Sequence, residues 1–270
     1  SKQKYVLKIS NSEESKDLLE LQDYVLSNLN KRTSLSKYIP KKIHSSIKIY
    51  SDLNKKKCFV RILTYIEGKM YASVKHNTQL ETSLGNLLGN LSKELQNIIK
   101  PSAFRKFEWD PSNIKWINKE AQIFNGKNKL IIINNLKEHN KFVIKNINNL
   151  RFSLTHGDAN NYNLVVNNNA VVGLLDYGDM IYAPSINDLA VTLSYALMNK
   201  DNLYLSLKNI ITSYHKIFHI NFDEIYSLMS LVKARLTITV VMAEKQRKKF
   251  PNNKYLSISE NNAWDLIRKL

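Results

Sequence analysis

Leu154-Thr-His-Gly-Asp-Ala-Asn-Asn-Tyr-Asn163 and, shortly after it, Val172-Gly-Leu-Leu-Asp-Tyr-Gly-Asp179 decide how this chain is read. They set out a carboxylate (Asp158), an amide (Asn163) and a second carboxylate (Asp176) at the end of an apolar strand. A hard cation such as Mg²⁺ takes oxygen ligands, and one or two carboxylates with an amide oxygen leave room for phosphates in its shell. Asn163 and Asp176 supply such oxygens, which leaves Asp158 to accept or orient a proton. Isolated Asp and Asn residues are usually turn formers, so the weight falls on the joint pattern. That pattern is a polar loop, a tight hairpin around Asn167-Asn-Asn169, a strand from Val171 to Leu175, then Asp-Tyr-Gly-Asp and Ala183-Pro-Ser-Ile-Asn-Asp-Leu-Ala190, with Asp188 at a helix start.

The sequence H-G-D-x-x-x-x-N followed by h-h-D-[FYW]-G resembles the aminoglycoside phosphotransferase and choline kinase superfamily, small-molecule kinases with a protein-kinase-like fold. The resemblance implies an α+β, two-lobed fold: a small β-rich N-lobe over residues 1–66 and a larger, mainly helical C-lobe over 67–270. The C-lobe would carry the catalytic loop, 154–163, and a metal-binding strand and loop, 171–180. It further implies Asp158 as the catalytic residue, His156 as the brace of its loop, Asn163 and Asp176 as Mg²⁺ ligands, Asp188 as an anchor of the loop, and ATP or GTP as phosphate donor. Phosphoryl transfer asks the protein chiefly to position a hydroxyl and neutralise phosphate charge.

Upstream, Lys4-Tyr-Val-Leu-Lys-Ile-Ser10 alternates as a strand, with Tyr5, Leu7 and Ile9 on one face and Lys8 on the other. Lys8 resembles the strand lysine that holds nucleotide phosphates. Asn11 to Leu29 reads as a helix capped at Ser12 before an acidic first turn. It should present an acidic partner for Lys8, either Glu20 or, in another register, the uncharged Gln22. None of the seven glycines precedes Lys8, so the glycine-rich hairpin that opens a kinase-like small lobe is expected to be missing or to belong to a longer chain.

Ser45 to Tyr50 and Lys57 to Thr64 read as strands around a Ser51-Asp-Leu-Asn turn. Thr64-Tyr-Ile-Glu-Gly68 resembles an interlobe hinge, where the backbone of Tyr65 and Ile66 would meet a purine edge. Leu80 to Ile99 has helical spacing interrupted by Gly85 and Gly89 and ended by Pro101. Phe107-Glu-Trp-Asp110 and Trp116 read as packing residues. Helical periodicity returns over Lys129 to Leu150, Leu189 to Met198, Leu203 to Ile217, Phe222 to Gln246 and Glu260 to Leu270.

Within the superfamily, His156-Gly-Asp-Ala-Asn, Gly173-Leu-Leu-Asp-Tyr-Gly-Asp-Met180, Ile186-Asn-Asp-Leu-Ala190, Ala234-Arg-Leu236 and Pro251-Asn-Asn-Lys-Tyr-Leu-Ser257 resemble the hydroxylysine kinase branch, including kinase domains fused to class III aminotransferases. The resemblance implies transfer from a purine nucleotide to the hydroxyl of a small amino-bearing metabolite: hydroxylysine, an amino alcohol or an aminoglycoside. Asp179 would meet a substrate ammonium or a further metal contact, and Arg235 a substrate carboxylate.

The net charge of +17 and pI near 9.7 permit nucleic-acid binding, but the Lys surplus is spread over the whole chain and no nucleic-acid module accompanies it. No nucleic-acid partner is expected. No signal segment and no apolar run of membrane-spanning length is read, and the lone Cys58 argues for a reducing, cytoplasmic compartment. Two other classes stay open at this point: a nucleotide-binding pseudokinase or truncated domain acting as an interaction module, and a basic nucleic-acid-binding protein.

Overall fold

The computed structural model describes residues 3–10, 14–31, 34–44, 47–51, 55–250 and 259–270. The Ser12 cap, the start of the Ser45 strand, the turn after Ser51 and the Pro251-to-Ser257 stretch lie outside them.

The chain opens with β1 (Tyr5–Ile9), α1 (Lys16–Asn30), β2 (Lys48–Ser51) and β3 (Lys57–Thr64). The strands form an antiparallel sheet in the order β1-β3-β2, with Lys8 directly opposite Arg61. Strand alternation leaves Tyr5, Leu7 and Ile9 exposed and turns Val6 and Lys8 toward a cleft. Helix α1 starts after Ser15, whose side chain makes no capping bond, rather than directly after Ser12. Its buried face carries Leu19, Gln22, Asp23 and Leu26. Asp23 ties the helix to the sheet through Lys42 (2.8 Å) and Arg61 (3.3 Å).

Next come β4 (Lys69–Met70), α2 (Thr78–Leu95), the short α3 (Ile117–Glu120) and α4 (Gly126–Phe142). The glycines of α2 do not interrupt it. A Cβ on Gly85 would stand 2.1 Å from Ser213 Oγ and 2.3 Å from Ile210 O, and one on Gly89 2.9 Å from Tyr214 O. All three contact residues sit on α6 (Leu203–Ile217), so the glycines let two helix backbones approach closely. Helix α4 ends at Phe142, short of the expected Leu150, and a 3₁₀ turn over Ile144–Asn149 leads into the next strand.

That strand, β5 (Phe152–Thr155), pairs with β8 (Ile181–Pro184), and between them β6 (Leu164–Asn167) and β7 (Ala170–Leu174) make the expected hairpin. Asn168 and Asn169 both have positive φ, 49° and 58°, as a tight type I′ turn requires and Asn tolerates. Helices α5 (Asn187–Ala196), α7 (Phe222–Lys249) and α8 (Glu260–Lys269) complete the helical part. One apolar core runs from Leu21 and Val25 of α1 to Leu266 and Ile267 of α8. Helix α7 contains a stretch long and apolar enough to cross a membrane, and 78% of it is buried inside the fold.

Candidate active site

The loop after β5 is held from three sides. Gly157 has φ +80°, and a Cβ there would lie 2.3 Å from Asp179 O, so no other residue fits. Asp188, at the start of α5, accepts the backbone N–H of His156 on one carboxylate oxygen (2.8 Å) and that of Gly157 on the other (2.9 Å). Burial pushes its pKa up to about 6, against those two donors. His156 is fully buried, which pushes its pKa down to about 4 and keeps the ring neutral at pH 7. Its Nδ1 accepts the Asp158 N–H (3.3 Å), so Nε2 is the donor to Leu175 O (3.1 Å). The ring thus ties the 154–163 loop to the strand that delivers Asp176.

Asp158 is held by three side chains. Arg235 Nη2 donates to Oδ1 at 2.6 Å, and Asn160 and Asn163 each donate to Oδ2 at 2.9 Å. Burial raises the carboxyl pKa while Arg235 and Asn160 pull it down. Asn163 Nδ2 also donates to Asp158 O (2.8 Å), so its amide nitrogen is fully engaged and its Oδ1 is left for a cation. Arg235 is not free to meet a substrate carboxylate: its side chain is 2% exposed, and Nη1 donates to Trp109 O at 2.9 Å beneath the indole ring. A lone Arg inside the apolar run Leu231-Val-Lys-Ala-Arg-Leu-Thr-Ile238 is the signal for such a buried, paired cation. Trp109, read from sequence as packing, supports it.

A cleft lies between the β1-β3-β2 sheet and the β6-β7 hairpin, walled by Val6, Leu63, Ile66, Val165 and Leu175, with Lys8, Asn163 and Asp176 on its polar side. Lys8 Nζ donates to Asp176 Oδ1 at 2.8 Å. Burial pushes the Asp176 carboxyl up, but Lys8 outweighs it and holds the group below the usual carboxylate range. Asp176 adopts a left-handed backbone, φ +60°, which aims its side chain into the cleft. Glu20 does not face Lys8; it pairs with Lys16 one turn away on the outer face of α1. Gln22 takes the inward position and accepts from Arg61 Nη2 at 2.7 Å, because the helix register puts residues 19, 22, 23 and 26 on the buried side. The Tyr65 amide is spent on Lys4 O (3.1 Å). Ile66 lines the cleft, and its backbone has no hydrogen bond among the described residues.

Asp179 lies next to Asp158, and burial followed by the charge of Asp158 raises its pKa to about 6. It makes no hydrogen bond among the described residues. Arg105 approaches it but donates to Met180 O and Gly178 O, both at 3.3 Å. No group of three or more His, Cys, Asp or Glu side chains comes together among the described residues to hold a metal. The oxygens of Asn163 and Asp176 fit a hard cation only if phosphates and water complete its shell.

The match to known proteins agrees with this geometry. Residues 1–207 match the model of the phosphotransferase enzyme family. The chain is 28% identical to the hydroxylysine kinase of Mus musculus over 287 residues, covering 98% of this chain and 76% of that protein, and 27% identical to that of Xenopus laevis, covering 98% and 77%. Among solved structures, a microcompartment-associated aminopropanol kinase superposes with a TM-score of 0.74 at 12% identity, covering 99% of this chain and 86% of that one. An amicoumacin kinase solved with AMP-PNP and Ca²⁺ superposes with a TM-score of 0.70 at 13% identity, covering 98% and 81%. With a kinase-like fold and the family's match over most of its length, the chain belongs to the phosphotransferase enzyme family and is a small-molecule kinase.

Proposed function

We propose that this enzyme transfers the γ-phosphate of a purine nucleotide, ATP or GTP, to the hydroxyl of a small amino-bearing metabolite of the 5-hydroxylysine type. The observation that carries the reading is the placement of Asp158: a carboxylate fixed by Arg235, Asn160 and Asn163, beside a cleft whose polar side holds Lys8 and Asp176. In this reading the apolar walls take the purine, Ile66 offers its backbone to the purine edge, and Lys8 moves from Asp176 to the phosphates. Asn163 and Asp176 would hold Mg²⁺, which neutralises charge on the phosphates. Asp158 orients the acceptor hydroxyl and takes its proton, burial holding the carboxyl pKa above its ordinary value against the three donors that fix it. Asp179 meets the ammonium on the carbon next to the reacting hydroxyl. The choice of 5-hydroxylysine rests on the relatives named hydroxylysine kinase.

The test is Mg²⁺-dependent transfer from ATP and from GTP to 5-hydroxylysine, ethanolamine, choline, homoserine and an aminoglycoside. The expected result is turnover of 5-hydroxylysine above the others, supported by at least one of the two nucleotides. Nucleotide binding without transfer to any acceptor would favour instead a pseudokinase.

A further inference from the structure

We infer that Arg105 holds a carboxylate of the acceptor, which makes this site selective for an amino acid over an amino alcohol. The inference rests on the kinase reading above and deepens it, since it names the substrate class of the same site.

Arg105 reaches the site on a short irregular segment, residues 104–109. Exposure alternates along it: Phe104, Lys106 and Glu108 are exposed, whereas Arg105, Phe107 and Trp109 are half-buried. At one end, Arg105 donates from Nε to Met180 O and from Nη2 to Gly178 O, the carbonyls on either side of Asp179. At the other, Trp109 O accepts from Arg235, the cation that fixes Asp158. Phe107 lies between them, with the Arg105 guanidinium 4.4 Å above its ring centre. None of the three lines the nucleotide cleft, so they border Asp158 and Asp179 from the other side, where an acceptor in line with the donor must stand.

The charge of Arg105 is unspent. Among the described residues, Arg61, Arg151, Arg235, Arg247 and Arg268 each have a carboxylate partner, and Arg105 has none. Its two hydrogen bonds go to carbonyls, and three of its five N–H donors, both on Nη1 included, have no partner among the described residues. Burial lowers its pKa and the charge of Asp179 only partly offsets that, while a guanidinium stays cationic at pH 7. Arg235, the other cation whose charge reaches Asp179, is spent on Asp158. Arg105 and Asp179 are thus half-buried opposite charges that feel each other without pairing. A zwitterion completes both, with its ammonium on Asp179 and its carboxylate on the planar fork of Arg105, which suits two-point contact. In 5-hydroxylysine the carboxylate stands at the far end of the carbon chain from the hydroxyl and its neighbouring ammonium. The molecule would run from Asp158 past Asp179 to Arg105.

The test is transfer to, and calorimetric binding of, 5-hydroxylysine and its α-carboxamide by wild type, Arg105→Met and Arg105→Lys. Wild type should prefer the acid. Arg105→Met should raise KM and Kd for the acid by ~10-fold or more, as loss of a charge-assisted hydrogen bond does, change kcat little and abolish the preference. Arg105→Lys, which keeps the charge without the fork, should restore part of it. An arginine that only braces the 178–180 loop would instead shift kcat and KM alike for acid and amide. That result overturns the proposal and leaves the kinase reading intact, as does a wild type that uses the amide or ethanolamine as well as the acid. If Arg105→Met does not fold, the wild-type preference and its reduction in Arg105→Lys decide the matter. Absence of transfer to every acceptor would overturn the kinase reading, and binding then stands alone: acid binding that is absent, or unchanged in Arg105→Met, overturns the carboxylate contact.

Discussion

Arg235 and Asp158 form a 2.6 Å ion pair in which the guanidinium side chain is 2% exposed and the carboxylate 20%. A carboxylate so held has one orientation. The buried cation in turn depends on it, because its other contacts are a carbonyl and aromatic rings. Asp158→Asn should therefore be doubly affected, losing activity by at least ~10²-fold and stability by about 3 kcal/mol as a buried charge is left uncompensated. Combining it with Arg235→Met should recover much of the stability and none of the activity. Denaturant unfolding of the two single variants and the double variant checks this; a double variant no more stable than Asp158→Asn would show that the pair is not the cause.

Asp179 titrates near pH 6 because burial and its neighbour Asp158 disfavour its charge. An ammonium needs the ionised form, so the KM for 5-hydroxylysine should rise as pH falls through about 6 and be flat above it. Asp179→Asn should raise KM and remove that acidic limb. The same shift affects stability with the opposite sense. A raised carboxyl pKa contributes stability that is complete below about 4 and is lost as pH rises through about 6. Relative to wild type, Asp179→Asn should gain of order 1–2 kcal/mol across that window, as thermal unfolding against pH would read.

Glu20→Ala should leave the nucleotide KM within about 2-fold of wild type, since its partner is Lys16 on the outer face of α1 and such surface changes are usually small. Lys8→Met should raise it by ~10-fold or more through loss of a charge-assisted contact to phosphate. A large effect of Glu20→Ala would place that residue in the nucleotide site after all.

Gly85→Ala should cost about 1–3 kcal/mol, because the added methyl meets Ile210 O at 2.3 Å and α2 cannot keep its distance from α6. Chemical denaturation checks the loss. An unchanged midpoint would mean that the two helices separate at little cost.

What the sequence made legible is local. Lys57–Thr64 and Leu203–Ile217 begin and end where periodicity put them, and the Asn-rich hairpin follows from the positive φ that Asn accepts. That Asp158 and Asn163 would come together on one loop was legible because their spacing is itself the pattern. What stayed hidden depends on partners far along the chain. Arg235 and Asp158 are 77 residues apart, and an Arg on a helix looks the same whether it meets a substrate or a carboxylate. Gly85 and Gly89 read as interruptions because only the neighbouring α6 shows that they are close contacts. Glu20 and Gln22 lie on different sides of α1, and the packing of Leu19, Asp23 and Leu26 against the rest of the fold decided which of them faces inward.

The central claim is that Asp158 directs phosphoryl transfer to a hydroxyl of an amino-bearing acceptor. Phosphorus NMR of the enzyme with 5-hydroxylysine, Mg²⁺ and ATP or GTP tests it most directly. The account predicts a growing phosphomonoester signal matched by nucleoside diphosphate, absent with Asp158→Asn and absent without Mg²⁺. A phosphomonoester formed at the wild-type rate by Asp158→Asn, or nucleotide hydrolysis to inorganic phosphate with no ester from any acceptor, would contradict it.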